Sequence, residues 1–161
     1  MLTLNLIRHA KTDQMSATGR DFDRELLPKG IIQANMLGVY LQQRQIVPGQ
    51  IVCSSAQRTR QTCKILEQHL FPEKAITFHQ TLYLANYPNI LDLIQEQTFP
   101  TITVIGHNEG ISELASYLSG GLHHLKTCGF IQLQSTAQNW QELIRDSMSV
   151  SDQYRPEVYF P

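Results

Sequence analysis

Short apolar runs of strand length alternate along this chain with longer segments whose apolar residues recur at helical spacing. Residues 2–7 and 101–106 are nearly continuous apolar runs, whereas residues 31–41 carry apolar side chains on one face of a helix that opens at Pro28. Such alternation favours a largely parallel sheet with helices packed on both of its faces. We therefore predict an α/β fold of three layers, α/β/α, around a mostly parallel central sheet.

The same two patterns predict the remaining elements. Further strands are predicted at 50–54, 75–78 and 130–134, and further helices at 56–70, from Pro88 through Ile94, and after His107 as far as Gly120-Gly121. Residues 140–144 also alternate, so we expect them to pair with 130–134 in a terminal hairpin. The segment after Met148 shows little pattern and is predicted to be irregular.

Length and composition exclude several classes of protein. The 161 residues suffice for one core, and without a linker or repeat we expect a single domain over residues 1–161. The net charge of −1 provides no basic field for nucleic acid, and no run is apolar enough to span a bilayer. The N-terminus lacks a signal-peptide pattern, so we expect a cytoplasmic protein. Cys53, Cys63 and Cys128 are too scattered for a disulfide framework or zinc site and are expected in the core.

Two histidines stand where predicted strands end. His9 follows the run 2–7 with Arg8 between them, and His107 follows the run 101–106 with Asn108 next in the chain. In an open α/β sheet the carboxyl ends of the strands are where ligands bind. We therefore expect both histidines to contribute to one site.

Arginines are predicted to lie near the same sheet edge. Arg58 falls in the first turn of the helix after the strand at 50–54, and Arg24 lies in the loop after the first strand. Taken singly, a strand-end histidine is more often structural and a first-turn arginine is usually solvated. Two histidines with three arginines suit a dianionic phosphoryl group, since arginine binds phosphate oxygens in bidentate fashion and neutral imidazole attacks phosphorus.

Five segments, in order along the chain, resemble motifs of the histidine phosphatase superfamily. They are residues 6–12 (LIRHAKT), 21–26 (DFDREL), 54–62 (SSAQRTRQT), 82–85 (LYLA) and 104–110 (VIGHNEG). Ala10 replaces the usual glycine, as in the branch similar to the phosphohistidine phosphatase SixA, while Glu25 and Glu109 replace prolines of that branch. The resemblance extends from residue 2 to about residue 120 and implies the phosphoglycerate mutase-like fold.

The resemblance also implies roles for the candidate residues. His9 resembles the nucleophile that accepts the phosphoryl group, and Arg8 and Arg58 resemble the residues that hold its oxygens. His107 resembles the second histidine, which stabilises developing negative charge. Arg24 and Asn108 are expected to contact the substrate. The implied reaction needs no cofactor and no metal.

The chain departs from larger superfamily members in one respect that bears on the substrate. Those members carry a carboxylic acid after the third strand, whereas residues 81–89 contain no Asp or Glu. Asp13, Asp21 and Glu109 are candidates for that acid only because they lie near the site in sequence. General acid catalysis contributes about a hundredfold or more, so a chain without it should prefer a leaving group that departs easily.

A phosphohistidine meets that condition, so the expected partner is a phosphorylated protein carrying phosphohistidine. Two alternatives stay open from the sequence. One is a phosphomonoesterase acting on a small phosphorylated metabolite with the same fold. The other is a phosphate-binding module that has lost turnover. No nucleic-acid or membrane partner is expected.

Overall fold

The computed structural model describes residues 1–70 and 75–156, which build a central sheet of six strands. The strands are β1 (Leu2–Arg8), β2 (Gln50–Ser54), β3 (Ala75–His79), β4 (Thr101–Gly106), β5 (Phe130–Ser135) and β6 (Ser149–Tyr154). Their order in the sheet is β3-β2-β4-β1-β5-β6. The first four strands in this order are parallel to one another. β5 pairs with β1 in antiparallel orientation, and β6 pairs with β5 in the same way. The prediction of a mostly parallel sheet is confirmed.

In the part of the chain that the structure describes, four α-helices cover the two faces of the sheet. They are α1 (Pro28–Gln43), α2 (Gln57–Leu70), α3 (Tyr87–Gln95) and α4 (Gly110–Ser119). One apolar core joins α3 and α4 to side chains such as Leu4, Leu6 and Val104, and a second core joins α1 and α2 to Ile7 and Cys53. Neighbouring residues of a strand point to opposite faces, so β1, β2 and β4 are buried on both faces and their sequences are largely apolar, whereas β3 is a more exposed edge strand. The predicted three-layer α/β/α architecture is confirmed.

Helix boundaries follow from residues visible in the sequence. Pro28 occupies the first position of α1, where its missing N–H is tolerated. Gly120, with a φ of 74°, ends α4 in the left-handed conformation that glycine adopts without a steric cost. Within the described residues, no helix is both long enough and apolar enough to cross a membrane.

The terminal hairpin was predicted correctly for its first strand and wrongly for its second. β5 forms as expected, but its partner is β6, in the segment expected to be irregular, while residues 140–144 hold the short 3-10 turn Trp140–Glu142. Trp140 and Leu143 are both buried, a spacing of three that suits a turn, and the Trp140 indole donates to the Phe99 carbonyl at 2.7 Å. β6 escapes prediction because it is a largely exposed edge strand, so polar residues occupy most of its positions.

Candidate active site

The carboxyl ends of β1, β2 and β4 lie side by side at one edge of the sheet, and beside them opens a cavity of about 400 Å³. All six residues that the sequence assigns to a site line this cavity: Arg8, His9, Arg24, Arg58, His107 and Asn108. They come from the end of β1, the start of α2 and the end of β4, which are far apart in sequence, and from the loop after β1. Their convergence follows from the insertion of β4 between β1 and β2 in the parallel sheet.

His9 is oriented by the backbone of its own loop. Its ring Nδ1 lies 2.8 Å from the carbonyl oxygen of Ala10, which can only accept, so Nδ1 carries the proton and Nε2 holds the lone pair. The side chain is buried, and burial lowers the pKa of His9 to about 4; the positive charges of Arg58 and Arg8 act in the same direction. His9 is therefore a neutral imidazole with a free nucleophilic nitrogen near pH 7.

His107 faces His9 across the cavity, with their ring centroids 5.4 Å apart. Its Nε2 lies 2.7 Å from the hydroxyl oxygen of Ser54, at the end of β2, and its Nδ1 is buried without a hydrogen-bond partner. Burial lowers the pKa of His107 to about 3, and the positive charge of Arg58 adds to that effect. His107 is thus also neutral near pH 7 and keeps one ring nitrogen for a ligand.

Arg8 and Arg58 are anchored at their tips. Arg8 Nη1 donates to the carbonyl oxygen of Leu125 at 3.0 Å. Arg58, whose side chain is only 2% exposed, donates from Nη1 to the backbone carbonyl of Asp21 at 2.8 Å and from Nη2 to the Asp21 carboxylate at 3.0 Å. Both guanidinium groups are thereby fixed in the wall of the cavity.

Arg24 and Asn108 complete the cavity wall in different ways. Arg24 Nε forms an ion pair with the Asp21 carboxylate at 3.1 Å. The amide of Asn108 is engaged by protein groups, because Nδ2 donates to the Leu125 carbonyl at 2.9 Å and Oδ1 accepts from Ser112 at 2.6 Å. One hydrogen of Nδ2 remains for the substrate contact expected of this residue, and that contact stays a prediction.

Four buried side-chain nitrogen atoms in the described residues have no hydrogen-bond partner, and all four belong to residues lining this one cavity. They are Nε of Arg8, Nε of Arg24, Nε of Arg58 and Nδ1 of His107. The ion pair of Arg24 lacks the alignment of a hydrogen bond. Buried polar groups without partners are costly and rare, so four around one cavity suit the binding of an oxyanion that would accept hydrogen bonds from them.

Of the three candidate acids, only Asp21 lines the cavity; Asp13 and Glu109 do not. The hydrogen bond from the Tyr83 hydroxyl lowers the pKa of Asp21, and Arg58 and Arg24 lower it further. Asp21 is therefore ionised near neutral pH and holds no proton to give to a leaving group.

The sequence alone assigns no role to Ser54 or Tyr83, although both fall within recognised motifs. Ser54 contacts His107, and the Tyr83 ring lies edge-on to His107 with centroids 5.5 Å apart. Their only signal in the sequence is their place in motifs 54–62 and 82–85. Among residues 1–70 and 75–156, no group of three or more His, Cys, Asp or Glu side chains is arranged to hold a metal ion.

Comparison with known proteins agrees with this geometry. The family model of the histidine phosphatase superfamily (branch 1) matches residues 4–82. An uncharacterised chloroplastic protein of Arabidopsis thaliana is 32% identical over 150 residues, which are 86% of this chain and 69% of that protein.

Two solved structures are also similar. One, assigned as the phosphohistidine phosphatase SixA of Agrobacterium tumefaciens, has a TM-score of 0.84 at 26% identity and covers 96% of this chain and 98% of its own. The protein histidine phosphatase SixA complexed with tungstate has a TM-score of 0.83, covering 98% of this chain and 99% of its own; at 15% identity it supports the fold alone.

The fold and the site together define a phosphatase, with phosphoglycerate mutase-like architecture and a cavity of histidines and arginines at the strand ends. The chain belongs to the histidine phosphatase superfamily, and its structure is SixA-like.

Proposed function

We propose that this protein hydrolyses protein phosphohistidine through a covalent phosphoryl intermediate on His9. The observation that carries the proposal is the set of four unpartnered N–H or ring nitrogen groups around the cavity that His9 also lines. A phosphoryl group bound there places its oxygens against Arg8, Arg24, Arg58 and His107. Its phosphorus is then within reach of the free Nε2 of His9.

The reaction proceeds in two displacements. In the first, the Nε2 lone pair of His9 forms a bond to phosphorus while the P–N bond of the substrate breaks, and its electron pair stays on the leaving imidazole nitrogen. In the second, water attacks the phosphorus of phospho-His9, inorganic phosphate leaves, and the electron pair returns to His9 Nε2. The arginines hold the equatorial oxygens in both steps, and His107 stabilises the added negative charge.

The choice of phosphohistidine over a phosphate ester rests on the proton inventory of the cavity. Within the described residues, Asp21 is the one carboxylate that lines the cavity, and its contacts with Tyr83 and Arg58 keep it ionised. An alkoxide leaving group needs a proton from a general acid. The imidazole of a phosphohistidine that is protonated on its other nitrogen leaves as a neutral ring without such help. The similarity to SixA phosphohistidine phosphatases also supports this substrate.

The test compares the wild-type protein with His9→Ala on a phosphohistidine-bearing protein and on a panel of sugar phosphates and nucleotides. His124→Ala is the matched control, because His124 is exposed and lies outside the cavity lining. We expect the wild type and the control to hydrolyse phosphohistidine, and His9→Ala to be inactive while keeping its circular dichroism spectrum.

A phosphoenzyme trapped by an alkaline quench should be stable in base and labile in acid, as expected for a P–N bond, and absent from His9→Ala. Preferential turnover of a phosphate ester would instead indicate a small-molecule phosphomonoesterase. Phosphate binding without any trapped adduct or turnover would indicate a binding module.

A further inference from the structure

A carboxylate stands inside the anion-binding cavity. The side chain of Asp21, on the 3-10 turn Asp21–Asp23, accepts a hydrogen bond from Arg58 Nη2 at 3.0 Å, pairs with Arg24 Nε at 3.1 Å and accepts another hydrogen bond from the Tyr83 hydroxyl. It therefore contacts two of the three arginines that line the cavity. No step of the proposed reaction uses this carboxylate as an acid or a nucleophile.

The contacts with Arg58 have two consequences that can be separated. Arg58 is almost completely buried, and both of its terminal nitrogens are directed to Asp21, one to the carboxylate and one to the backbone carbonyl. These bonds hold the guanidinium in one orientation and leave its Nε–H without a protein partner. They also supply the counter-charge that a buried cation requires.

The same negative charge acts on any anion in the cavity. A dianionic phosphate beside Arg58 and Arg24 also lies beside the Asp21 carboxylate, since all three groups line one cavity of about 400 Å³. Like charges repel, and water screens that repulsion only in part because the Asp21 side chain is 47% exposed. The arginines therefore bind phosphate less tightly than they would without Asp21.

We propose that Asp21 is a positioning residue with a double effect: its oxygen atoms orient Arg58 toward the phosphoryl group, and its charge weakens the binding of the phosphate that hydrolysis releases. This proposal rests on the proposed function and extends it to product release. Two buried histidines and three arginines bind inorganic phosphate tightly enough to slow its release after hydrolysis. A carboxylate in the same cavity weakens that binding.

Two substitutions separate orientation from charge. Asp21→Asn keeps an oxygen that accepts from Arg58 and Tyr83 but removes the charge, whereas Asp21→Ala removes both. Asp23→Asn is the matched control, because it makes the same charge change two residues away on the same turn, where Asp23 contacts Thr18 and Arg20 and does not line the cavity. Binding of inorganic phosphate is measured by calorimetry, and kcat/KM is measured on a phosphohistidine-bearing protein.

We expect Asp21→Asn to bind phosphate about tenfold more tightly than the wild type and to lose less of its kcat/KM than Asp21→Ala does. Asp21→Ala should lose about tenfold or more in kcat/KM, because Arg58 is no longer held. Asp23→Asn should match the wild type in both measurements. Structural damage weakens binding, so a gain in phosphate affinity reports the charge itself.

The proposal is overturned if Asp21→Asn binds phosphate no more tightly than the wild type, or if Asp21→Ala keeps the full kcat/KM. A loss of kcat/KM in Asp21→Asn as large as that in Asp21→Ala also contradicts it, because the charge or the proton would then be what catalysis needs. These outcomes differ from failure of the proposed function, in which the wild type itself does not hydrolyse phosphohistidine.

Discussion

His107 Nε2 lies 2.7 Å from the Ser54 hydroxyl oxygen, so the end of β2 holds the ring that extends from the end of β4. When the hydroxyl donates to Nε2, the proton of the neutral imidazole resides on Nδ1, the nitrogen left without a protein partner. An oxyanion in the cavity favours this tautomer because Nδ1–H then donates to it. In that arrangement Ser54 orients His107 and leaves its proton on Nδ1.

Ser54→Ala should lower kcat/KM on a phosphohistidine substrate about fivefold, because one hydrogen bond contributes on the order of 1 kcal/mol to the orientation of His107. Ser55→Ala is the matched control, since it removes the same hydroxyl at the next residue, which does not line the cavity. Steady-state kinetics of both variants provide the measurement. Equal activity of Ser54→Ala and Ser55→Ala would show that the contact with Ser54 does not matter to the reaction.

The stability of the protein should fall as the pH drops from 7 to 5. Burial lowers the pKa of His9 to about 4 and of His107 to about 3, whereas an unfolded histidine has a pKa of about 6.5. Between these values the unfolded chain binds more protons than the folded one, so acid favours unfolding. We expect each histidine to contribute a loss of about 2 kcal/mol in the free energy of unfolding between pH 7 and pH 5.

Urea unfolding at both pH values tests the histidine contribution. His107→Gln should show a smaller loss than the wild type, because glutamine does not titrate. His124→Gln, which changes an exposed histidine outside the cavity, should keep the wild-type difference. If His107→Gln loses as much stability as the wild type, protonation of His107 does not contribute to acid destabilisation.

Gly110→Ala should destabilise the protein by about 3 kcal/mol, because a Cβ atom at this first residue of α4 would lie 2.0 Å from the carbonyl oxygen of Ala85. Relief of that clash requires the segment at Ala85 to shift. Gly106→Ala is the control, since its Cβ would meet nothing closer than 3.4 Å, the distance to the Ile111 side chain. Thermal unfolding of the two variants measures the difference, and equal melting temperatures would refute the close approach.

Leu84→Asn should raise the free energy of unfolding by about 1 kcal/mol. Leu84 has a φ of 51° and an exposed side chain, and asparagine tolerates the left-handed conformation better than leucine does. Leu122→Asn is the control, because Leu122 is 95% exposed but does not have a positive φ. Urea titration should therefore show a gain only for Leu84→Asn; no gain, or an equal gain in both variants, would contradict this explanation.

Local patterns were sufficient for most of the fold. β1 and β4 were predictable because each is buried on both faces and has a largely apolar sequence, and α1 was predictable from its proline and apolar spacing. β6 was not, because an exposed edge strand needs no apolar pattern; its backbone pairing with β5 defines it. Residues 140–144 were wrongly predicted as a strand for the opposite reason. Trp140 is apolar and buried, and the sequence does not distinguish burial in a turn from burial in a strand.

The candidate site was predictable in its membership and not in its internal contacts. His9, Arg8, Arg58 and His107 lie in recognisable motifs, and all four line the cavity. The carboxylate of Asp21 was indicated only as a possible acid, whereas its contacts with Arg58 and Tyr83 keep it ionised. Ionisation depends on burial and on neighbours distant in sequence, which no spacing of residues reveals.

The sequence by itself determined the two strands that precede His9 and His107, because burial on both faces requires a largely apolar sequence. It also determined which residue types follow those strands, because phosphate chemistry favours histidine and arginine there. Only the tertiary structure decided that β4 lies between β1 and β2. This order brings the His107 ring close to the His9 ring and to the Ser54 hydroxyl. The tertiary structure also decided that Asp21 neutralises Arg58. Both outcomes arise from long-range pairing of strands and charges, and such pairing is a property of the folded chain.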